Sequence, residues 1–131
     1  MGLRTYRGPS ERNLQTRIIK AIRQKYGKSV WVLKVNDSTR VGIPDLIICF
    51  YGLFVSVEIK KHIWNNATKK YEQGRELTPM QEYNIKEINL AGGSAFMAYT
   101  LATVMKKLDR IYKMKASQAW GGDNDPGNNN V

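Results

Sequence analysis

Two apolar runs, residues 45–50 and 53–60, are separated only by Tyr51-Gly52, and this spacing constrains the fold more than any other feature of the chain. A two-residue connection has the length of a tight β-hairpin, so the runs are predicted to pair as antiparallel strands. With this turn, Asp45 falls directly opposite Glu58, with the two side chains about 5 Å apart. Like charges that face each other across strands destabilise a sheet unless a cation bridges them. The hairpin therefore predicts a metal site.

The second run also carries a lysine beside the acidic pair. Strand alternation places Glu58 and Lys60 on the same face. Mg²⁺ suits such a pair, because it takes one or two protein carboxylates and fills its other positions with water and phosphate oxygens. Lys60 would then supply positive charge where water attacks a phosphate. Taken singly, Asp45 could be a turn acid, and Glu58 and Lys60 a solvated strand face; their combination favours the metal site.

A third acid comes from the first predicted helix, residues 10–26. Glu11 lies at helical spacing from Leu14, Ile18 and Ile22, which should pack on the sheet. It could share a metal with the acidic pair. The alternative is an ordinary first-turn acid that the helix dipole stabilises.

The remaining pattern predicts a mixed α/β fold with the order αβββαβα. Residues 30–35 and 94–99 are predicted strands, and residues 36–42 and 61–77 are a loop and a long loop or flap. Thr78-Pro79-Met80-Gln81 opens a helix as a capping box, which accounts for Gln81 without a functional role, and a last helix begins at Thr100. Trp31 is predicted in the core, Cys49 as a small buried residue and His62 as a loop residue. We expect one domain over residues 1–112 and a disordered tail over residues 113–131.

The charge balance indicates a polyanionic partner. The chain has a net charge of +10, from 21 basic against 11 acidic residues, and residues 1–60 hold eleven basic and four acidic side chains. Nucleic acid is the expected ligand. One cysteine excludes a disulfide framework, and no apolar stretch approaches the roughly 20 residues that span a bilayer. These features predict a cytoplasmic protein without a membrane segment.

A set of short motifs, taken in order, resembles the VRR-NUC domain, a branch of the PD-(D/E)xK nuclease superfamily. The motifs are Glu11, Gly42-Ile43-Pro44-Asp45-Leu46-Ile47, Val57-Glu58-Ile59-Lys60, Leu77-Thr78-Pro79-Met80-Gln81 and Ala91-Gly92-Gly93. The resemblance covers about residues 10–109 and implies a restriction-endonuclease-like core, with a mixed sheet flanked by helices.

The resemblance also implies a role for each motif residue. Mg²⁺, with Mn²⁺ as a substitute, would be bound by Asp45 and Glu58, with Glu11 and the Ile59 main-chain carbonyl as further ligands. Lys60 would orient water and stabilise the transition state, and Gln81 would position Lys60 or the phosphate.

At the level of the whole protein, the resemblance implies an endonuclease that is selective for DNA structure. Such a protein would be similar to Holliday-junction resolvases, would form a homodimer and would serve DNA repair or recombination. It would act at the nucleoid, or in the host cytoplasm if phage-encoded. Residues 61–77 are longer than the link expected in the family, which leaves the substrate structure open.

Phosphate contacts are expected from basic residues outside the acidic pair, namely Lys34, Arg40, Lys61, Lys69 and Lys70. Two alternatives to a junction nuclease remain. One is a nicking or restriction-like endonuclease on plain duplex DNA, and the other is a DNA-binding module without catalysis. The presence of Asp45, Glu58 and Lys60 argues against the second, because acids near a phosphate would weaken simple binding.

Overall fold

A four-stranded sheet organises the computed structural model, which describes residues 11–36, 40–73 and 76–121. The elements in chain order are α1 (Glu11–Tyr26), β1 (Val30–Lys34), β2 (Leu46–Phe50), β3 (Leu53–Ile59), β4 (His62–Asn65), β5 (Lys70–Gln73), α2 (Pro79–Leu90), β6 (Ser94–Ala98) and α3 (Leu101–Gly121).

The main sheet is mixed, with the strand order β1-β2-β3-β6. The β1–β2 and β2–β3 pairs are antiparallel, and β6 runs parallel to β3. A parallel pair needs a crossover connection, and the chain between β3 and β6 contains the β4–β5 hairpin and α2. The predicted mixed α/β class is confirmed.

The hairpin between β2 and β3 has the predicted register. Pairing runs from Phe50 opposite Leu53 to Leu46 opposite Val57. Tyr51 and Gly52 have φ angles of 51° and 84°, as a type I′ turn requires of both central residues. The Tyr51 ring contacts Phe50 edge-on at 4.9 Å between centroids, which helps to hold a non-glycine residue in this conformation.

The two faces of the main sheet have different neighbours. On one face, α1 buries Leu14, Ile18 and Ile22, and its Tyr26 ring meets Phe50 at 4.8 Å and 89°. We call this the α1 face. By strand alternation Glu58 points to the opposite side, where α2 approaches β6 through hydrogen bonds between Asn89 and the Ala95 backbone. We call this the α2 face.

Residues 61–77 do not form the irregular long loop that is one of the two predictions for this segment, and the alternative prediction of a flap stays a prediction. They contain the two-stranded antiparallel hairpin β4–β5, so the order αβββαβα lacks two strands. The Asn65 side-chain oxygen accepts hydrogen bonds from the backbone N–H groups of Ala67 and Thr68 and shapes the turn. Such Asx turns depend on one side chain rather than on hydrophobic periodicity, which is why the pattern missed the hairpin. His62 is accordingly a strand residue.

Two predictions about burial are also wrong. Trp31 is 59% exposed and Cys49 is exposed, although both were predicted to be buried. They face each other on neighbouring strands, on the α2 face. An apolar strand reveals its composition but not which of its faces is covered, and this part of the α2 face is exposed.

The chain divides into two compact units, Met1–Leu101 and Ala102–Val131. In the second unit α3 continues through residues 113–121, which the sequence assigned to a disordered tail. Helix formers in this stretch and an ion pair of 3.2 Å between Asp109 and Lys113, one turn apart, favour the helix without much apolar content. Residues 122–131 lie outside the described residues.

No described helix combines the length and apolar character needed to cross a membrane.

Gly42 and Gly52 provide a matched test of how closely α2 packs on the loop before β2. Their φ angles are +83° and +84°, but a Cβ on Gly42 would lie 2.8 Å from the Met80 backbone, whereas a Cβ on Gly52 would meet nothing within 4 Å. Gly52→Ala should lower the free energy of unfolding by about 1–2 kcal/mol through its left-handed backbone alone. Gly42→Ala should cost about 1–3 kcal/mol more, because packed backbone must move. Urea denaturation would measure both, and equal losses would contradict the close packing.

Candidate active site

Asp45 is fixed by two backbone contacts immediately before β2. Its carbonyl accepts a hydrogen bond of 2.8 Å from the Val35 N–H. Its Oδ2 atom accepts a second of 2.7 Å from the Ile59 N–H, just beyond the last β2–β3 pair. The side chain therefore continues the ladder in place of a backbone carbonyl, which holds the carboxylate against β3.

Glu58 lies where the hairpin register predicts, beside Asp45. It is only 6% exposed, and the two carboxyl groups share a hydrogen bond. Burial raises the pKa of Asp45 above its usual 3.8, against the opposing effects of the Ile59 N–H, the Glu58 hydrogen bond and the charges of Lys60 and Lys34. Two acids in this position resist being ionised together, so the pair favours a bound proton or a cation.

Lys60 supplies positive charge at the same place. Its Nζ atom lies 3.9 Å from Glu58 Oε2, and the residue is 8% exposed. Its backbone N–H donates to the Ala98 carbonyl at 2.9 Å, which extends the β3–β6 pairing by one residue and fixes the start of the side chain. A shielded ammonium group beside two carboxylates interacts more strongly with them than it would in water.

Gln81 performs two tasks with one amide group. Its Oε1 atom accepts from the Thr78 N–H at 2.9 Å while Thr78 Oγ1 accepts from the Gln81 N–H, which completes the predicted capping box. Its Nε2 atom donates to Glu58 Oε2 at 2.9 Å. Because the cap engages the oxygen, the nitrogen must point to the carboxylate. The start of α2 thus orients Glu58.

Asn84 is a site neighbour that the sequence analysis missed. Its Nδ2 atom donates to the Gly42 carbonyl at 2.8 Å and so ties α2 to the loop that leads into Asp45. Asn84 stands three residues after Gln81 and therefore on the same side of the helix. That spacing is the signal that could have indicated it.

The donor set suits a hard divalent cation. Asp45 and Glu58 provide adjacent, shielded carboxylates, and Mg²⁺ typically uses one or two of these in proteins. Within the described parts of the chain, no group of three or more His, Cys, Asp or Glu side chains could hold a metal ion. The Glu11 side chain lies outside the described residues, so its predicted role, like that of the Ile59 carbonyl, stays a prediction.

The basic residues predicted to contact DNA are at the surface or half-buried. Lys34 is half-buried and close enough to lower the pKa of Asp45. Arg40 and Lys61 are exposed, and Lys69 and Lys70 are exposed at the β4–β5 turn.

His62, the first residue of β4, stacks its ring on the Tyr99 ring, with 4.7 Å between the centroids.

Neutralising Asp45 should stabilise the protein in metal-free buffer. Because the pKa of Asp45 is raised, the folded state binds a proton more readily than the unfolded state. Ionised Asp45 therefore lowers the free energy of unfolding at pH 8. This loss becomes smaller as the pH falls through the raised pKa towards 3.8. Asp45→Asn removes a like charge while its oxygen can still accept from Ile59. We expect a gain of up to about 1 kcal/mol at pH 8, measured by urea denaturation in EDTA.

The control is Asp109→Asn, which removes a carboxylate from an ion pair with a mostly exposed lysine. It should lower the free energy of unfolding by no more than about 0.5 kcal/mol, both at pH 8 and at lower pH. An Asp45→Asn variant that is less stable than the wild type at pH 8 and at every lower pH down to 3.8 would contradict the destabilising effect assigned to the Asp45–Glu58 pair.

Comparisons with known proteins agree with the fold. No protein-family model matches the sequence, and no curated protein matches it. A solved structure named "VRR_NUC domain protein" superimposes with a TM-score of 0.60 at 17% identity, over 93% of this chain and 97% of that one. A second, named "VRR_NUC domain", aligns over 75% of this chain and 92% of the other, with 20% identity and a TM-score of 0.48.

The superposition on the first of these structures includes nearly the whole of both chains. At this level of identity the likeness concerns the fold. The motifs that resemble the VRR-NUC domain lie on a backbone of the same kind, with Asp45, Glu58, Lys60 and Gln81 gathered at one place. The chain therefore has the fold of a VRR_NUC domain.

Proposed function

We propose that this protein is a metal-dependent endonuclease that hydrolyses phosphodiester bonds in DNA. The observation that carries the proposal is the shielded Asp45–Glu58 pair with Lys60 beside it. A strongly basic chain that binds DNA gains nothing from two carboxylates near a phosphate unless they hold a cation. The name of the structural neighbour with a TM-score of 0.60 contains a nuclease-domain label, which supports this reaction class.

Mg²⁺ is the proposed cofactor, with Mn²⁺ as a substitute. Asp45 and Glu58 would hold it, with Glu11 and the Ile59 carbonyl as further proposed ligands. When bound, such an ion polarises the phosphate and lowers the pKa of a coordinated water. The backbone N–H of Ile59 keeps Asp45 in place, and Gln81 does the same for Glu58, so both carboxylates keep their geometry without the ion.

Lys60 is the proposed electrostatic catalyst. Its ammonium group is held near Glu58, and a fixed positive charge at a shielded site stabilises negative charge that develops on a phosphate during attack by water. Lys34, Arg40, Lys61, Lys69 and Lys70 are the proposed contacts to the DNA backbone. Contacts of this type do not depend on base sequence and weaken steeply as the salt concentration rises.

The favoured substrate is branched DNA such as a four-way junction, which connects the protein with DNA repair or recombination and with action at the nucleoid or, for a phage protein, in the host cytoplasm. A nicking or restriction-like enzyme on plain duplex DNA is the second candidate. A DNA-binding module without catalysis is the third.

Cleavage assays should distinguish these functions. A labelled four-way junction and its matching linear duplex are incubated with Mg²⁺ or EDTA and with wild type, Asp45→Asn or the control Glu82→Gln, which neutralises an exposed acid in the first turn of α2. We expect cleavage only with Mg²⁺, a loss of at least about 10²-fold in Asp45→Asn, and no loss in the control.

Each other outcome identifies a different function. Cutting of both substrates at equal rates would retain the nuclease and remove the junction preference. Tight binding without cutting, in Mg²⁺ and then in Mn²⁺, would replace the enzyme by a binding module. Equal cleavage by Asp45→Asn would refute the assigned site.

We also propose that two copies associate through the uncovered part of the α2 face. We define this uncharged sheet surface by Trp31, Leu33, Ile47, Cys49 and Phe54, which stand side by side across β1, β2 and β3. Trp31, Leu33 and Phe54 are 59%, 44% and 45% exposed. Basic chains repel one another, so self-association needs a surface free of like charge, and dimer interfaces have uncharged, apolar centres. A DNA-binding surface would instead contain Lys or Arg.

Trp31→Glu should prevent this association, because a two-fold interface would bring the introduced charges of both copies together. Sedimentation equilibrium should give twice the 15.0 kDa chain mass for wild type and the single mass for the variant. Met114→Glu is the control, since Met114 is 55% exposed on α3. A wild-type protein that stays monomeric at 100 µM, a concentration on the order of weak-dimer dissociation constants, would refute the proposal.

A further inference from the structure

The outward side of α1 presents a row of positively charged side chains. Arg12, Arg17, Lys20 and Arg23 are all exposed, and no acid occurs between residues 12 and 28. At about 100° per residue these four side chains fall within an arc of about 140°, opposite the buried side of the helix. We call them the α1 cationic surface. None of them belongs to the candidate active site.

The chemistry of this surface fits a phosphodiester backbone. The surface extends about 16 Å along the helix from Arg12 to Arg23, at 1.5 Å per residue, which is long enough to follow several phosphates. Gln24 lies among the cations and can donate hydrogen bonds, and it lines a groove with Thr16, Lys20 and Arg23. The Thr16 hydroxyl donates to the Arg12 carbonyl at 3.1 Å. Arg23 also donates to the Val32 carbonyl at 3.3 Å, which restrains its side chain.

The position of α1 separates this surface from the acidic pair. Tyr26 packs on Phe50, so α1 covers one face of the sheet, whereas Gln81 reaches Glu58 from the other. A helix is about 10 Å across, so the side of α1 opposite its buried residues faces away from the acids. DNA that lies on Asp45 and Glu58 therefore does not lie on the α1 cationic surface with the same stretch of backbone.

We propose that the α1 cationic surface binds a second segment of DNA, apart from the segment at the acidic pair. The nature of the ligand rests on the proposed function. Guanidinium groups pair with phosphate in a fork geometry, and three of the four cations are arginines. The surface has no exposed large apolar side chain that could enter a lipid layer, which favours nucleic acid over a membrane.

A second binding surface has a consequence for the substrate. DNA that bends or branches so that it reaches both faces of the sheet gains contacts that a short straight duplex cannot make. Such DNA binds more tightly, and its affinity depends more steeply on salt.

The variant Arg17→Gln/Lys20→Gln tests the surface directly. Both side chains are exposed, and glutamine keeps the helix propensity, so circular dichroism should not change. The matched control is Lys86→Gln/Lys106→Gln, which removes the same charge from exposed positions on α2 and α3. Each protein is titrated with an 8-base-pair duplex in Ca²⁺ at low salt, and junction affinity is measured across a range of salt concentrations.

We expect two short duplexes per chain for wild type and control, and one for Arg17→Gln/Lys20→Gln. The salt slope of junction binding should fall by about 1.8 in that variant, from two lost phosphate contacts. A wild type that binds one duplex per chain, or a variant that matches the control, overturns the proposal.

These binding readouts do not depend on catalysis. If the wild type cuts no DNA and the second duplex is still lost in the variant, the proposed nuclease function fails while the α1 cationic surface stands. If the wild type cuts DNA and the variant keeps two duplexes, the function stands and the surface fails.

Discussion

The two-residue turn at Tyr51-Gly52 is the constraint on which the rest of the site depends. Its positive φ angles fix a single register between β2 and β3. A slip of one residue would turn Glu58 towards α1 and away from Asp45 and Gln81. The hydrogen bonds from Ile59 to Asp45 and from Gln81 to Glu58 both require the observed register. Local turn chemistry therefore determines the chemistry of a site that three separate segments build.

The same register works against stability. It places two shielded carboxyl groups together, and burial raises the pKa of Asp45 although a backbone N–H and two lysines act in the opposite direction. Replacing one of the two carboxyl groups by an apolar or uncharged side chain would therefore be expected to make the fold more stable. Perturbed acids with specific charged neighbours are typical of functional sites, and structural ion pairs can also produce them. The pairing of two carboxyl groups, Asp45 and Glu58, favours a functional site, because a purely structural ion pair would join one acid to one base.

Features that depend on neighbours in the chain could be predicted from the sequence. The turn at Gly52, the Thr78 capping box and the facing of Asp45 and Glu58 are of this kind. The exposure of Trp31 could not be predicted, because burial depends on which layer covers a face and not on the strand itself. The second contact of Gln81 could not be derived either, since it joins segments 23 residues apart that only the complete fold brings together.

Charge is distributed by surface in this chain. Two acids are shielded beside Lys60, four cations line the outward side of α1, and the uncovered part of the α2 face is uncharged. A net charge of +10 spread evenly would attract DNA in any orientation and would oppose contact between copies. For the proposed DNA ligand and the proposed dimer, segregation would remove both difficulties, because cations would guide DNA to chosen surfaces while an uncharged surface would stay available for the second copy. The partition would therefore add orientation to an attraction that net charge alone would leave undirected.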